Sequence, residues 1–431
     1  MVVLSIAINA QSGANSPFSR FGIGDLNDDN PIHLRSMGGL SASFTDVYHT
    51  NTKNPAALAF QKVVSYDIGL NLKYSSLKDP NEKSGIYSGN LEYLSFTLPL
   101  FNTYNDLLEV EPKQSWFTTN FTLAQHSDVS YQVVQSETLP DIGGVERTFA
   151  GNGGTYKVQW GNSFKHKNFS VGLNMGYLFG QLTNERNLTF PDVEFSYDNS
   201  FVDRYNMKGF IYNVGAIYQH ILNRQEVKNK VSTELKVLNV GFYGNSTTSF
   251  STNATNSKAS FLILGNTINQ DSLQTISVED GEGRMPSEFG IGATYYVGTK
   301  LALGVNYSIK NWSKYRNDAR PEQLSNTSKI TFGGYYRPNI RSFQYKDRIY
   351  YRFGVFYGQD PRTISSSNLD NYGVTLGTGL PLVAQRKISH LNLGLTLGRR
   401  GSSEILRETY ISLGVGFTFN DDEWFVKRKY N

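Results

Sequence analysis

Six histidines, at positions 33, 49, 126, 166, 220 and 390, are the side chains best suited to acid–base or metal chemistry, and no two stand at a ligand spacing. There is no cysteine, so a zinc site would have no thiolate to use. The nucleophile elbow, the zinc-protease helix and the phosphate-binding loop are all missing as motifs. Short G-x-G runs occur inside alternating strands, where no helix follows to hold a phosphate. His126 and His220 fall on strands among hydroxyls and read as polar strand-end residues. Asp25-Leu26-Asn27-Asp28-Asp29-Asn30 begins like a calcium loop, but Asn30 replaces the glycine and Ser36 the closing glutamate. A solvated acidic turn is the simpler reading. The expectation is a protein that is not an enzyme, with no cofactor and no metal.

What could position such residues is clearest in the last strand, Thr409 to Phe419. Ile411, Leu413, Val415, Phe417 and Phe419 share one face, and Ser412, Gly414, Gly416 and Thr418 share the other. A period of two with one greasy face is a strand. The small polar face suits a membrane barrel, with lipid outside and water or a plug inside. A half-exposed strand of a soluble sheet would show the same pattern, so the remaining strands must decide.

The chain has 431 residues, with 40 glycines, 27 tyrosines and 27 phenylalanines, a bias towards twisted, aromatic strands. Its net charge of +4 is small, and no basic cluster with interleaved aromatics lies outside the C-terminal tail, which argues against nucleic acid. No run approaches eighteen apolar residues, which excludes a helical membrane protein but not a barrel. Residues 1–10, M-V-V-L-S-I-A-I-N-A, resemble the apolar core and cleavage site of a signal peptide.

Residues 11–61 do not alternate, and a segment of that length needs something to pack in or on. Alternation begins at Val64, and fourteen candidate strands follow, ending at Phe419. Odd-numbered connections, such as 135–153, 183–202 and 247–286, are mostly long. Even-numbered ones, such as 166–167 and 298, are mostly short. Long loops on one side and short turns on the other are the habit of an outer-membrane barrel, and an even strand count leaves both termini in the periplasm. The expected fold is all-β: a 14-stranded antiparallel transmembrane β-barrel over 62–419, with residues 11–61 inside it and a tail at 420–431.

Met37-Gly38-Gly39-Leu40-Ser41-Ala42, followed by Asn54-Pro55-Ala56 just before the first strand, resembles the FadL-like family of outer-membrane barrels. The resemblance implies that residues 11–61 form a hatch inside the barrel, with Gly38, Gly39, Asn54, Pro55 and Ala56 as its motif. That family includes importers of fatty acids and aromatic hydrocarbons, and PorV-type barrels that serve as subunits of secretion machinery. An importer would need an apolar site. The inward strand positions are mostly small and polar, so such a site would come from Phe18, Phe21, Leu26, Met37 and Leu40. Lys73 and Arg352 are inward cations for a ligand carboxylate, or for a hatch carboxylate such as Asp25. Gly414, Phe417 and Phe419 resemble the terminal-strand signal read by the barrel-assembly machinery.

Two functions follow. The first is passive uptake of a hydrophobic small molecule of the fatty acid or hydrocarbon type. The alternative is a non-enzymatic subunit of an outer-membrane secretion or assembly complex. Such a subunit would meet a large protein partner through the 247–286 loop or the tail residues Trp424, Phe425, Lys427, Arg428 and Lys429. Outer-membrane lipid is the surrounding partner in both.

Overall fold

The computed structural model describes residues 16–421, except 81, 101–114, 265–266, 365–366, 385–386 and 403–405. The signal-like residues 1–10 and the tail residues from Trp424 onward therefore lie outside the described residues. Among those described, no helix is long and apolar enough to cross a membrane.

The strands are β1 (Val64–Lys78), β2 (Lys83–Pro99), β3 (Ser115–Leu139), β4 (Gly143–His166), β5 (Phe169–Thr189) and β6 (Tyr197–Ile221). Next come β7 (Lys236–Asn245, resumed as Thr248–Leu264) and β8 (Thr267–Met285, resumed as Glu288–Val297). The set ends with β9 (Leu301–Lys310), β10 (Thr327–Tyr336), β11 (Tyr350–Ile364), β12 (Ser367–Ala384), β13 (Lys387–Ser402) and β14 (Leu406–Asp421). Neighbours pair antiparallel throughout, and β14 pairs with β1 from Asp421↔Val64 to Arg407↔Lys78. That pairing closes a 14-stranded barrel.

The burial pattern is inverted relative to a water-soluble sheet. On β14, Ile411, Leu413 and Phe419 are 47%, 41% and 52% exposed, while Ser412, Gly414, Gly416 and Thr418 are buried. Exposed apolar residues around the whole wall make sense only against lipid. β9 and β10 have 10 residues each, about 33 Å of strand, enough to cross the apolar band when tilted.

On one flank the strands run far beyond that length. β3 and β6 have 25 residues each and β4 has 24. The 247–286 connection, expected as a loop, is instead a hairpin whose two arms continue β7 and β8 and pair with each other from Met285↔Thr248 onward. The first arm also pairs with β6, from Gly209↔Phe250 to Tyr197↔Leu262. The expected loops at 135–153 and 183–202 are likewise mostly strand. Beyond the base of these extensions, where Tyr131, Phe250 and Ala254 are buried, both faces meet water and the alternation ends, so periodicity carried little signal. The result is a sheet built from β3 to β8 that stands beyond the barrel on the rim away from the chain ends. That rim is called distal here, and the rim holding the start of β1 and the end of β14 is called the terminal rim.

Among the described residues the wall is interrupted between β2 and β3. β2 and β3 pair only from Tyr93↔Ala124 to Pro99↔Thr118. In the β1–β2 ladder the register shifts between Gly69↔Tyr93 and Leu70↔Leu91, leaving Glu92 as an extra, bulged residue. A bulge bends its strand, and beyond this one β2 leaves β3. Part of the exposed β3 edge is taken by the N-terminal segment, through Asp25↔Asp128 and Leu26↔Ser127.

Candidate functional site

Residues 16–63 pack against inward-facing positions all round the barrel. Asn54 sets the local geometry. Its Oδ1 accepts from the Ala56 amide at 3.0 Å, capping a short 3-10 helix that Pro55 opens. Its Nδ2 donates to the carbonyls of Ala42 and Phe242, joining two parts of the segment and the wall. Gly38 and Gly39 have φ of +72° and +91°, which L side chains rarely adopt. They let the chain turn so that the Gly38 amide donates to Thr375 Oγ1 and its carbonyl accepts from Thr331. The wall approaches equally closely: a Cβ at Gly241 would lie 1.9 Å from the Ala42 carbonyl oxygen.

Buried ion pairs join segment and wall at three levels. Nearest the distal rim, Asp25 lies 2.7 Å from Arg362 and 3.0 Å from Arg400. Arg362 also pairs with Asp360, Arg400 with Glu408, and Glu408 with Lys73 at 2.7 Å. Burial opposes the Asp25 charge, but Arg400, Arg362 and Lys73 together outweigh it and hold this carboxyl far below the usual range. At the second level Asp29 lies 2.7 Å from Lys157 and 3.3 Å from Lys53, and Lys53 lies 2.7 Å from Glu288. Burial again opposes the charge, and Lys157 and Lys53 overcome it, so Asp29 is also held well below its usual range. At the third, Arg35 forms a two-pronged pair with the bulged Glu92, one arm at 2.7 Å.

The space left in the lumen is small and polar. A cavity of about 190 Å³ is lined by Asp25, Asp28, Arg35, Lys73, Glu92 and Arg400, among others. At the β2–β3 discontinuity a groove of about 670 Å³ runs from the lipid-facing side chains of Leu72, Tyr74, Tyr87, Ile411 and Leu413 to the inward Lys73 and Asp128.

The residues expected to build an apolar site are not brought together. Phe18 packs with Leu77 and Leu369. Met37 and Leu40 belong to a second cluster with Leu34 and Phe44, and Leu26 leans on a third around Ile23. Phe21 is 37% exposed. Lys73 does join the Asp25 cluster through Glu408, but Arg352 does not. Its Nη1 donates to Asn392 Oδ1 at 2.7 Å, near the terminal rim. The Asp25–Asn30 run does not wrap one point, since Asp25 and Asp29 face separate basic clusters. Among the described residues no group of three histidine or acidic side chains is arranged to hold a metal ion.

Sequence reasoning missed Arg362, Arg400, Glu408, Lys53 and Lys157. Parity held the signal for three of them: Lys157, Arg400 and Glu408 sit on the small-polar, inward face of β4, β13 and β14. It also missed that His33, His49 and His390 meet, with ring centres 4.9 and 4.6 Å apart in succession, because no sequence spacing encodes a contact across a barrel.

A closed 14-stranded barrel filled by an N-terminal segment with Gly-Gly and Asn-Pro-Ala turns defines the class by its fold: a barrel of FadL-like architecture. Solved structures with this fold include the toluene transporter TbuX of Ralstonia pickettii, with a TM-score of 0.57 and 12% identity over 91% of this chain and 99% of that one. The toluene transporter TodX of Pseudomonas putida has a TM-score of 0.56 and 14% identity, over 93% of this chain and 100% of that one. At these identities the likeness is one of fold. More narrowly, the chain belongs to the BamG family, whose family model matches residues 1–431. No curated protein matches it.

Proposed function

We propose that this barrel is a non-enzymatic subunit of an outer-membrane protein assembly or secretion complex. The observation that carries this reading is the distal sheet. Strands of 24 and 25 residues exceed the ten-residue ones by roughly 50 Å of strand length, on one flank only. Among the described residues its β3 edge, 131–139, forms no ladder with β2, and an unpaired edge is a template for another chain. Val134 and Leu273 on this sheet are 52% and 61% exposed. The lumen supports the same reading, because a hatch tied to the wall by three levels of buried ion pairs is a closed plug. Membership of the BamG family fits it as well. In this reading both chain ends lie in the periplasm and the distal sheet lies outside the cell, as the even strand number and the alternation of long and short connections suggest.

Passive uptake of a hydrophobic molecule is the second reading. It is favoured by the groove at the β2–β3 discontinuity, which joins the lipid face to the lumen, and by the likeness to hydrocarbon-transporting barrels. The polar, charged lumen behind the groove weighs against a wide apolar route. Purification from native membranes in mild detergent, with protein and lipid mass spectrometry on one sample, separates the two. A stoichiometric protein partner with no ligand is the expected result. A lone barrel carrying a stoichiometric fatty acid or hydrocarbon would overturn the first reading in favour of the second.

A further inference from the structure

The lumen matches its buried cations with care everywhere but at the terminal rim. Lys53, Lys157, Arg362 and Arg400 each have a carboxylate within 3.3 Å. A cavity of about 360 Å³ at the terminal rim breaks this pattern. It is lined by the buried Arg337, the half-buried Lys165, which donates to Gln219 Oε1 at 3.2 Å, and the exposed Lys62, and none of the three forms an ion pair among the described residues. Lys165 Nζ rests 3.9 Å from the centre of the Phe60 ring, and Lys62 Nζ lies 5.6 Å from that of Trp116. The buried Arg337 donates to the Tyr350 hydroxyl at 2.6 Å and to the Thr299 carbonyl at 3.1 Å. Arg352, also buried, flanks the same Tyr350 ring at 4.9 Å and likewise lacks a carboxylate partner.

One carboxylate, Asp46, lines this cavity, and it is already engaged. It accepts from the amides of Tyr48 at 2.7 Å and His49 at 3.2 Å, and lies 3.2 Å from His49 Nδ1. Six aromatic residues, Tyr48, Phe60, Trp116, Tyr296, Tyr335 and Tyr350, line it as well, among smaller aliphatic and polar side chains. An excess of cations behind an aromatic wall selects an anion attached to a flat apolar body. A divalent cation at the neighbouring histidine cluster is disfavoured by the same excess charge.

We propose that this cavity is a docking site for a partner polypeptide segment that presents a carboxylate beside an aromatic ring. The inference deepens the subunit reading and rests on it only for the nature of the occupant. The mouth favours a peptide over a lipid. The lining includes the turn residues Gly298, Thr299 and Ile340 and Val47 of the N-terminal segment, none of them on a barrel strand. The surface around it continues onto two long turns, 222–235 and 337–349, joined to the 298–300 turn by Gly298 N–H to Leu235 and Arg337 N–H to Lys300. These turns carry Val231, 77% exposed, and the fully exposed Phe343, with Lys230, Arg341 and Lys346 beside them. An anionic, aromatic-bearing chain would find complementary charge and contact along that surface.

The test uses the full chain in nanodiscs and isothermal titration with a blocked pentapeptide carrying one glutamate next to one phenylalanine. Saturable one-site binding is expected. It should weaken about tenfold or more when the peptide glutamate becomes glutamine, and equally with Lys62→Gln and Lys165→Gln combined. These lysines sit at the rim and no described residue forms an ion pair with them, so the double variant should keep its fold, checked by heat-modifiable mobility. No saturable heat, or unchanged affinity in the double variant, overturns the proposal. Displacement of the peptide by phosphatidylglycerol vesicles would also overturn it, in favour of a lipid headgroup. In native membranes, a double variant that keeps its full complement of partners would defeat the docking proposal and leave the subunit reading standing. A wild-type barrel that purifies alone would defeat the subunit reading instead.

Discussion

Asp25 is held between guanidiniums from two different strands, Arg362 on β11 and Arg400 on β13, and Phe18 stacks beneath Arg400 with 4.7 Å from the guanidinium carbon to the ring centre. Removing this one negative charge leaves two buried cations to share Asp360 and Glu408. Breaking one partner out of a buried cluster costs about 3–5 kcal/mol. Asp25→Asn should therefore release residues 16–30 locally while the wall stays closed. Hydrogen exchange should rise in that segment and stay flat in β13 and β14. Uniform protection in the variant would show that contacts other than the charge hold the segment. Asp25 and Lys73 were legible in the sequence as a plug acid and an inward cation, because parity says which way a strand residue points. That Arg352 stays away from Asp25 was not legible. Which inward residues stand at one height depends on strand stagger around the closed barrel, and alternation says nothing about stagger.

At the level of elements, the N-terminal segment is both the least regular part of the chain and among the most buried. Its Asn-Pro-Ala and Gly-Gly turns were readable because each residue type has one backbone use there. Its path across the lumen was not, since that path is fixed by glycines on the strands, such as Gly241, that admit its backbone. The segment also carries the acid sensitivity of the fold. Burial pushes His33 well below its ordinary value of 6.5, and its neighbour His49 adds to the effect. Burial lowers His49 too, with Asp46 pulling the other way. A released segment would take up these protons as pH falls below about 6.5, whereas the docked one resists them, so docking weakens from there downward. Asp25 and Asp29 act at lower pH. Their carboxyls are depressed when docked, so their contribution is complete above about 3.8 and is lost as pH falls through the docked values. Hydrogen exchange corrected for intrinsic rates should show loosening in two steps, residues 30–50 first and 20–29 later. The combined His33→Gln and His49→Gln variant should lose the upper step. A single acid step that ignores this variant would refute the assignment.

The whole molecule is two structures on one set of strands: a barrel that answers to lipid and a sheet that answers to water. The barrel was legible because lipid imposes apolar-out and small-polar-in on every strand. The sheet read as loops because, outside its buried base, water on both faces imposes no alternation. The register shows how separable they are. Asn245 of β7 pairs directly with Glu288 of β8, so the membrane portions of these strands already face each other below the hairpin. Replacing residues 246–287 with Asn-Gly should close that pair with a two-residue turn, since Asn-Gly favours the hairpin geometry the strands need. The variant loses Phe250, Ala254 and Met285 from the cluster around Ile23 and Tyr205, so its melting temperature should fall. Its heat-modifiable mobility in detergent should persist, because no lipid-facing strand is shortened. If the distal sheet is what the protein offers to a complex, the shortened barrel should reach the outer membrane and purify without its partner. If it still carries a full partner complement, contact must run through the terminal rim instead. In that case Lys62 and Lys165, rather than the distal wall, are the residues whose loss should release it.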